Sequence, residues 1–303
     1  MDSYSLCVAW NWEYDADFVE VLHRTCSRLD LPLLQVTPAN LEARLHDLAG
    51  KRLRFSAFYD RASDTDPAFL PLGDWARRHG AFVINPHELA RKCWDKSLMH
   101  DAISEAGRHT PATIVLPPHE LEPDLQPIDL SPLGNHFIIK PAHGGGGDGV
   151  VTAATCMEHV LEARRQFPTD KYLLQAHVAP AHVDGRLAWF RVLYCTGQAF
   201  PCWWHPQSHR YTAVTAAEEE SLELAPLRGM AAAIAEASEM DLFSSEMARV
   251  PGGDFVVVDY LNDPLDLRQQ SQSYEGVPDE IVAAVAGRLI AEALLPPEPT
   301  ALP

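Results

Sequence analysis

Phe137-Ile138-Ile139-Lys140-Pro141-Ala142-His143-Gly144-Gly145-Gly146-Gly147-Asp148-Gly149-Val150-Val151-Thr152-Ala153 is the stretch from which the rest of the chain is best understood. Apolar and β-branched runs enclose four consecutive glycines and a fifth at Gly149, the pattern of a strand, a loop and a returning strand. Glycines let backbone N–H groups converge on phosphate oxygens without a Cβ in the way, and Lys140 closes the entering strand, where its ammonium can reach the same anion. A nucleoside triphosphate is the natural ligand for such a loop.

Other readings of the loop are less consistent with its surroundings. Gly144, Gly146 and Gly149 satisfy G-x-G-x-x-G, but the dinucleotide fingerprint opens a helix, whereas Val150-Val151-Thr152-Ala153 has strand character. With Val151 the stretch fits the Gly-rich pattern of protein kinases, yet H-R-D, D-F-G and V-A-I-K are missing from the sequence. A ligand-free surface loop is the bland alternative, and a Lys-Pro step before five glycines is more than a linker needs.

A length of 303 residues allows two or three packed units, and 47% hydrophobic with 22% charged residues suits a globular core. Lys and Arg number 24 against 42 Asp and Glu, a formal charge of -18 that repels nucleic acid and anionic membranes. Any phosphate must therefore be held by a local site. The six cysteines form no Cys-x-x-Cys pair and read as reduced thiols, and neither a basic leader nor a membrane-length apolar run is visible. A cytoplasmic, unanchored protein is expected, with no nucleic-acid or membrane partner.

Residues 1 to about 85 read as a small α/β unit. Strands are expected at Ser5 to Ala9, Leu33 to Val36, Arg54 to Phe58 and Ala81 to Ile84, with helices near Asp15 to Leu29 and Ala68 to His79. Such alternation implies a mostly parallel sheet. The segments after its first and third strands, Trp10-Asn11-Trp12-Glu13 and Asp60-Arg61-Ala62-Ser63-Asp64, would then face a cleft or form ordinary solvated turns. One helix is expected from Glu88 to Ala106, closed by Gly107 and carrying Lys96, which is either a solvated lysine or a ligand of the site. The Pro-rich, acidic stretch from 117 to 135 reads as a surface connection.

Beyond the glycine loop a helix is expected at Glu158 to Phe167 and a strand at Tyr172 to Val178, followed by a hairpin of Arg186 to Cys195 with Ala199 to Trp204. Arg191 interrupts an otherwise apolar strand, so it needs an anion: a phosphate, or a structural carboxylate. Trp203, Trp204, His205 and His209 lack metal-ligand spacing and read as cleft wall or packing. After an Ala-rich helix over 224 to 240 come strands Phe243 to Val250 and Phe255 to Tyr260. If Gly252-Gly253 is a two-residue hairpin loop, Glu246 stands opposite Asp259. Opposed carboxylates repel unless a cation bridges them. With Asn262, and Asp263 or Asp266 nearby, an all-oxygen set suits Mg²⁺ shared with substrate phosphates; two solvated edge carboxylates are the alternative. A last helix is expected from Pro278, burying Ile281, Val285 and Leu289, before a disordered tail at Pro296 to Pro303.

A helix lysine, a second lysine before a glycine loop, a strand running into a hinge, then an acid pair and an Asn: in that order the whole chain resembles the ATP-grasp superfamily, in the layout of D-alanine:D-alanine ligases, glutathione synthetases and ribosomal-protein glutamate ligases. The resemblance implies an α/β (α+β) fold of three subdomains, with ATP held between two sheet-containing ones. These are a small N-terminal α/β unit over 1–95, a lid subdomain with the Gly-rich loop over 96–178, and a C-terminal subdomain with the metal site over 179–303. Lys96 and Lys140 then look like the lysines on the α and β phosphates, and Gly144, Gly145, Gly146, Gly147 and Gly149 like the lid loop. Gln175 and the backbone near Val178 look like the adenine hinge, and Asp184 like the ribose-contacting acid. Arg191 resembles the catalytic arginine that faces the γ phosphate, and Glu246, Asp259 and Asn262 match the metal ligands. The family's E-x-N is here Asp259-Tyr260-Leu261-Asn262, one residue longer, so Asn262 and Asp263 both stand as third ligand. Gln175 replaces the usual hinge acid, and Trp189 stands where the glutamate-ligase branch has Asp.

The resemblance further implies an ATP-dependent carboxylate–amine (or carboxylate–thiol) ligase that works through an acylphosphate and releases ADP and phosphate. Its cofactors would be ATP and Mg²⁺ (or Mn²⁺), and its partners a small-molecule carboxylate and an amine. Arg268 and Ser271, with Gln270, just past the acid pair, are candidates for holding the substrate carboxylate. A small-molecule kinase on the same fold and a non-catalytic nucleotide-binding protein are the alternatives, and a homodimer is left open.

Overall fold

The computed structural model describes residues 1–295; the expected tail at Pro296 to Pro303 lies outside the described residues. The N-terminal unit runs β1 (Asp2–Trp10), α1 (Ala16–Arg28), β2 (Leu33–Val36), α2 (Leu41–Ala49), β3 (Leu53–Arg61), α3 (Leu70–Arg78) and β4 (Phe82–Ile84). Its strands pair in the order β2-β1-β3-β4, all parallel, as the alternation of elements requires. Helix α2 was not foreseen, because its apolar stripe is short and polar residues fill the rest. Cys7, Ala9, Val36 and Phe58 pack one face of the sheet against Leu48, Leu72 and Ala76 of α2 and α3.

Two helices occupy the stretch expected to be one: α4 (His87–Cys93) and α5 (Lys96–Glu105). Asp95 is the break. Its backbone is extended (φ -78°, ψ 100°) and its Oδ1 accepts from the N–H groups of Ser97 (2.8 Å) and Leu98 (3.3 Å), so it caps α5 rather than continuing α4. Lys96 becomes the first residue of a new helix. Gly107 follows α5 with φ 71°, as its expected capping role demands.

Next come β5 (Thr113–Leu116), β6 (Phe137–Pro141), β7 (Val151–Ala154), α6 (Met157–Arg164) and β8 (Tyr172–Ala176). They form an antiparallel sheet in the order β5-β8-β6-β7, with the glycine loop joining β6 to β7. Phe137, Ile139, Tyr172 and Leu174 pack it against Val160 and Ala163 of α6.

The remainder supplies β9 (His182–Val183), β10 (Arg186–Leu187), β11 (Trp189–Cys195), β12 (Gln198–His205), β13 (Arg210–Ala213), α7 (Ala216–Ser221), α8 (Pro226–Ser238), β14 (Leu242–Arg249), β15 (Phe255–Asn262) and α9 (Asp279–Ala293). Here the order is β13-β12-β11-β14-β15, all antiparallel. Arg186 and Leu187, expected to open the long strand, instead pair with β9 about an Asp184-Gly185 turn in which both residues have positive φ (50° and 77°). One face of the five-stranded sheet buries Phe190, Val192 and Phe243 against α8 and against Ala90, Cys93, Met99 and Ile103 of α4 and α5. The opposite face buries Leu193, Cys195 and Leu242 against α9 and against Phe18, Leu22 and Cys26 of α1. Helices α4 and α5 share the core of the five-stranded sheet, and the preceding four-stranded antiparallel sheet begins at β5.

The β14–β15 hairpin corrects one step of the sequence argument while keeping its result. Its loop has three residues, not two, since the Val250 N–H donates to the Asp254 carbonyl (2.8 Å) and Arg249 pairs with Phe255. A regular ladder from there would put Glu246 opposite Val258. The register instead shifts between Met247 and Glu246, with Val258 as the extra residue, and Glu246 meets Asp259 after all.

Candidate active site

Three charged residues line up across neighbouring strands on the α9 side of the C-terminal sheet: Arg191 on β11 pairs with Glu246 on β14, which pairs with Asp259 on β15. Strand alternation puts Arg191 in phase with Trp189 and Leu193, so the charge that interrupts the apolar run falls on one face. Arg191 Nη1 lies 3.6 Å from Glu246 Oε1, Arg191 Nε donates to Ser244 Oγ (3.0 Å), and the guanidinium sits 5.0 Å from the Trp204 ring centre. The Trp189 indole donates to Glu246 Oε2 (3.2 Å).

The four-stranded antiparallel sheet brings Lys140, on β6, to this row. Its Nζ is 3.8 Å from Asp259 Oδ1, donates to the carbonyl of the bulged Val258 (3.3 Å) and lies 5.3 Å from the centre of the Tyr260 ring; the residue is only 8% exposed. Lys96 approaches from α5, with its backbone N–H on the Ala142 carbonyl (2.9 Å) and its Nζ on the Gly144 carbonyl (2.5 Å). Both lysines singled out from the sequence therefore meet at the glycine loop and the acid pair.

Burial pushes the Lys140 ammonium below its ordinary value, with Lys96 adding repulsion and Asp259 opposing. For Asp259, burial is outweighed by Lys140, Lys96 and Arg191, which hold the carboxyl below the usual range. Glu246 moves the other way: burial raises it, and the neighbouring Asp259 charge adds to the effect despite Arg191. The row thus pairs an acid surrounded by cations with one whose surroundings disfavour its charge.

The glycine loop projects into solvent. A Cβ at Gly144, Gly145, Gly146 or Gly147 would meet nothing within 4 Å, and three of these four have positive φ. Gly149 differs, because a Cβ there would come within 2.5 Å of the Phe167 ring; it anchors the loop rather than lining it. His143 fixes the other end through Asp170, which accepts from its backbone N–H (2.9 Å).

Gln175 is buried on β8, and its amide donates to Tyr260 Oη (2.6 Å) and Thr113 Oγ1 (3.0 Å), so it holds β15 and β5 against the strand that leads into the half-buried Val178. Asp184 sits exposed at the tip of the β9–β10 turn, 3.9 Å from Arg186. Asn262 and Asp263 have different neighbours: Asn262 Nδ2 donates to the Ser244 carbonyl (3.4 Å) on β14, whereas Asp263 turns to the N-terminal unit and accepts from Asn85 Nδ2 (2.9 Å). Arg268 is engaged by Asp266 (2.6 Å) and the Tyr14 ring, and Ser271 is tied by its backbone N–H to Asp279 (3.0 Å) on a groove with Thr212 and Glu280. Neither belongs to the charged row.

Residues that sequence reasoning passed over include Tyr260, fully buried between Lys140, Gln175 and His100 (Nδ1 to Oη 2.7 Å), and Ser244 under Arg191. Only Asp95, a capping residue two positions before a serine, left a readable local signal.

Among the described residues, no group of three or more His, Cys, Asp or Glu could by itself hold a metal ion. The donor set of Glu246, Asp259 and Asn262 nonetheless fits Mg²⁺, which takes few protein oxygens and completes its shell with water and phosphate. A Glu246 carboxyl raised by burial and by its neighbour's charge is the state a bound cation would relieve. Nor is any helix among the described residues long and apolar enough to cross a membrane.

No protein-family model matches the sequence, and no curated protein matches it. Solved structures do. A D-alanine–D-alanine ligase from Bacillus anthracis complexed with ATP aligns over 97% of this chain and 97% of its own, with TM-score 0.67 and 11% identity. The ATP-grasp ligase PsnB, complexed with minimal precursor, Mg and ADP, covers 95% and 98% with TM-score 0.64 and 12% identity. The D-cycloserine synthetase DcsG covers 95% and 99% with TM-score 0.58 and 17% identity. The chain has the ATP-grasp fold over essentially its whole length.

Proposed function

We propose that this ATP-grasp chain is an ATP-dependent carboxylate–amine ligase. The observation that carries the reading is the convergence of Lys96, Lys140 and Arg191, from three parts of the chain, on the Glu246–Asp259 pair and the glycine loop. Cations gathered around two carboxylates at the edge of a solvent-facing Gly-rich loop suit a triphosphate with its metal ion.

In this reading the nucleotide lies between the lid sheet and the C-terminal sheet. Lys96 and Lys140 contact the α and β phosphates, the N–H groups of Gly144 to Gly147 cover them, and Gln175 with the Val178 backbone borders the adenine. Asp184 would reach the ribose from its exposed turn. Glu246, Asp259 and Asn262 would hold Mg²⁺, which when bound supplies positive charge to the phosphate oxygens. Arg191 faces the transferred phosphoryl group and offsets the charge that develops on it. An oxygen of the substrate carboxylate bonds to the γ phosphorus as the bond to ADP breaks, leaving an acylphosphate. The amine nitrogen then bonds to the acyl carbon, phosphate leaves, and the nitrogen gives up a proton. A closed loop keeps water from the acylphosphate meanwhile.

The test is ADP release across pairs of carboxylates and amines, with mass spectrometry of the products. An amide with stoichiometric phosphate supports the ligase. A phosphorylated product without free phosphate identifies a kinase, and tight nucleotide binding without ADP from any pair identifies a non-catalytic binder.

A further inference from the structure

At the carboxyl ends of β1 and β3, where an open parallel sheet takes its ligands, lies a cavity of about 360 Å³ bordered by Trp12, Asp15, Arg61, Asp64, Thr65 and Pro264. Arg61 and Asp15 form a buried ion pair in its wall, at 4% and 3% exposure. Asp15 Oδ1 accepts from both Arg61 Nε and Nη2, while Arg61 Nη1 donates to the Leu265 carbonyl. The guanidinium charge is therefore matched within the wall. Asp15 Oδ2 has no hydrogen-bond partner, an arrangement that a buried carboxylate tolerates poorly unless a donor completes it.

A second carboxylate, Asp64, borders the same space, and the cation it feels is Arg61, already neutralised by Asp15. Two carboxylates against one guanidinium leave one negative charge in excess. Trp12, 41% exposed, is perpendicular to Tyr14 (5.0 Å between ring centres, 84°) at the cavity's edge. Excess negative charge beside an exposed indole is the chemistry that recognises an organic ammonium. A carboxylate ligand would have to compete with Asp15 for Arg61. Along the chain the cavity wall lies close to the charged row, since Pro264 follows two residues after Asn262.

We propose that this cavity is the amine subsite, taking a small organic amine through an ammonium group held by Asp64 and Asp15, with Trp12 as its cation–π and apolar wall. Its role as the acceptor subsite rests on the ligase reading; the ligand chemistry does not.

The test uses the full chain without nucleotide, titrated calorimetrically with phenethylamine, with 3-phenylpropionate of similar shape, and with a blocked tripeptide carrying one lysine. Phenethylamine should bind at least roughly tenfold tighter than 3-phenylpropionate, and Asp64→Asn and Trp12→Ala should each weaken it by roughly tenfold or more. Equal or tighter binding of 3-phenylpropionate, or variants indistinguishable from wild type, overturns the assignment. Tighter binding of the tripeptide overturns the small-molecule source. Mg-ATP titrations and ADP assays on the same samples separate the two claims. Amine binding with no ADP from any acid removes the ligase reading and leaves the subsite. Amine-dependent turnover that neither substitution alters removes the subsite and leaves the ligase.

Discussion

Replacing Asp259 by Asn probes stability and chemistry at once. Lys140 Nζ lies 3.8 Å from its carboxylate, a pair whose gross attraction at an effective dielectric of about 20 is roughly 4 kcal/mol. Repulsion from Glu246 directly opposite, and the desolvation that both charges suffer, remove most of this, leaving about 1–2 kcal/mol. At roughly 2–4 °C per kcal/mol for a chain of this size, Asp259→Asn should melt about 2–8 °C lower without nucleotide. The folded protein holds Asp259 below its ordinary value of 3.8, so the contribution is complete above that value and fades as pH falls through the lowered one. The difference from wild type should accordingly shrink in acid. ADP formation should fall about a hundredfold or more, some 2.7 kcal/mol, because charge that would bind the metal beside the phosphates is gone. Scanning calorimetry across pH and a coupled ADP assay read the two effects, with Asp254→Asn on the hairpin loop as control. A raised melting temperature, or an Asp259→Asn that behaves like that control, would refute the reasoning.

Gly149→Ala should cost at least about 2 kcal/mol, since its φ is 70° and the new methyl meets Phe167; Gly145→Ala, in open space without positive φ, should leave the melting temperature unchanged or slightly higher. Asp95→Ala removes the cap of α5 and the Lys171 partner (2.8 Å), so about 2 kcal/mol is lost and KM for ATP rises as Lys96 loses its fixed start; Asp95→Asn, which keeps the cap, should recover most of the stability. Burial pushes Asp263 up to about 6, so its ionisation penalty is absent below the ordinary 3.8 and complete once pH has risen past that folded value. Asp263→Asn should therefore melt higher than wild type at pH 8 by a few degrees and equally near pH 4, and a gain that ignores pH would count against this account.

Local chemistry determined much of this protein. The alternation of short apolar strands with amphipathic helices in the first 85 residues specified a parallel sheet, because side-chain periodicity is a property of neighbours along the chain. Glycines after Lys140 marked the loop for the same reason, and the lone Arg191 and the Glu246 and Asp259 acids stood out as charges in apolar strands. Tertiary structure decided what depends on distant partners. The pairing of Glu246 with Asp259 comes from a bulge at Val258, which no turn residue announces, and its loop is one residue longer than the Gly-Gly pattern suggests. Asp263 is taken out of the charged row by Asn85, a contact between residues 178 positions apart. Likewise the hydrogen bonding of Arg61 in the Asp15–Arg61 pair is completed by the Leu265 carbonyl, 204 positions away. A sequence states the period and charge of each element; the partner that satisfies a buried charge is chosen by packing, when strands and loops far apart in the chain compete for the same donors and acceptors.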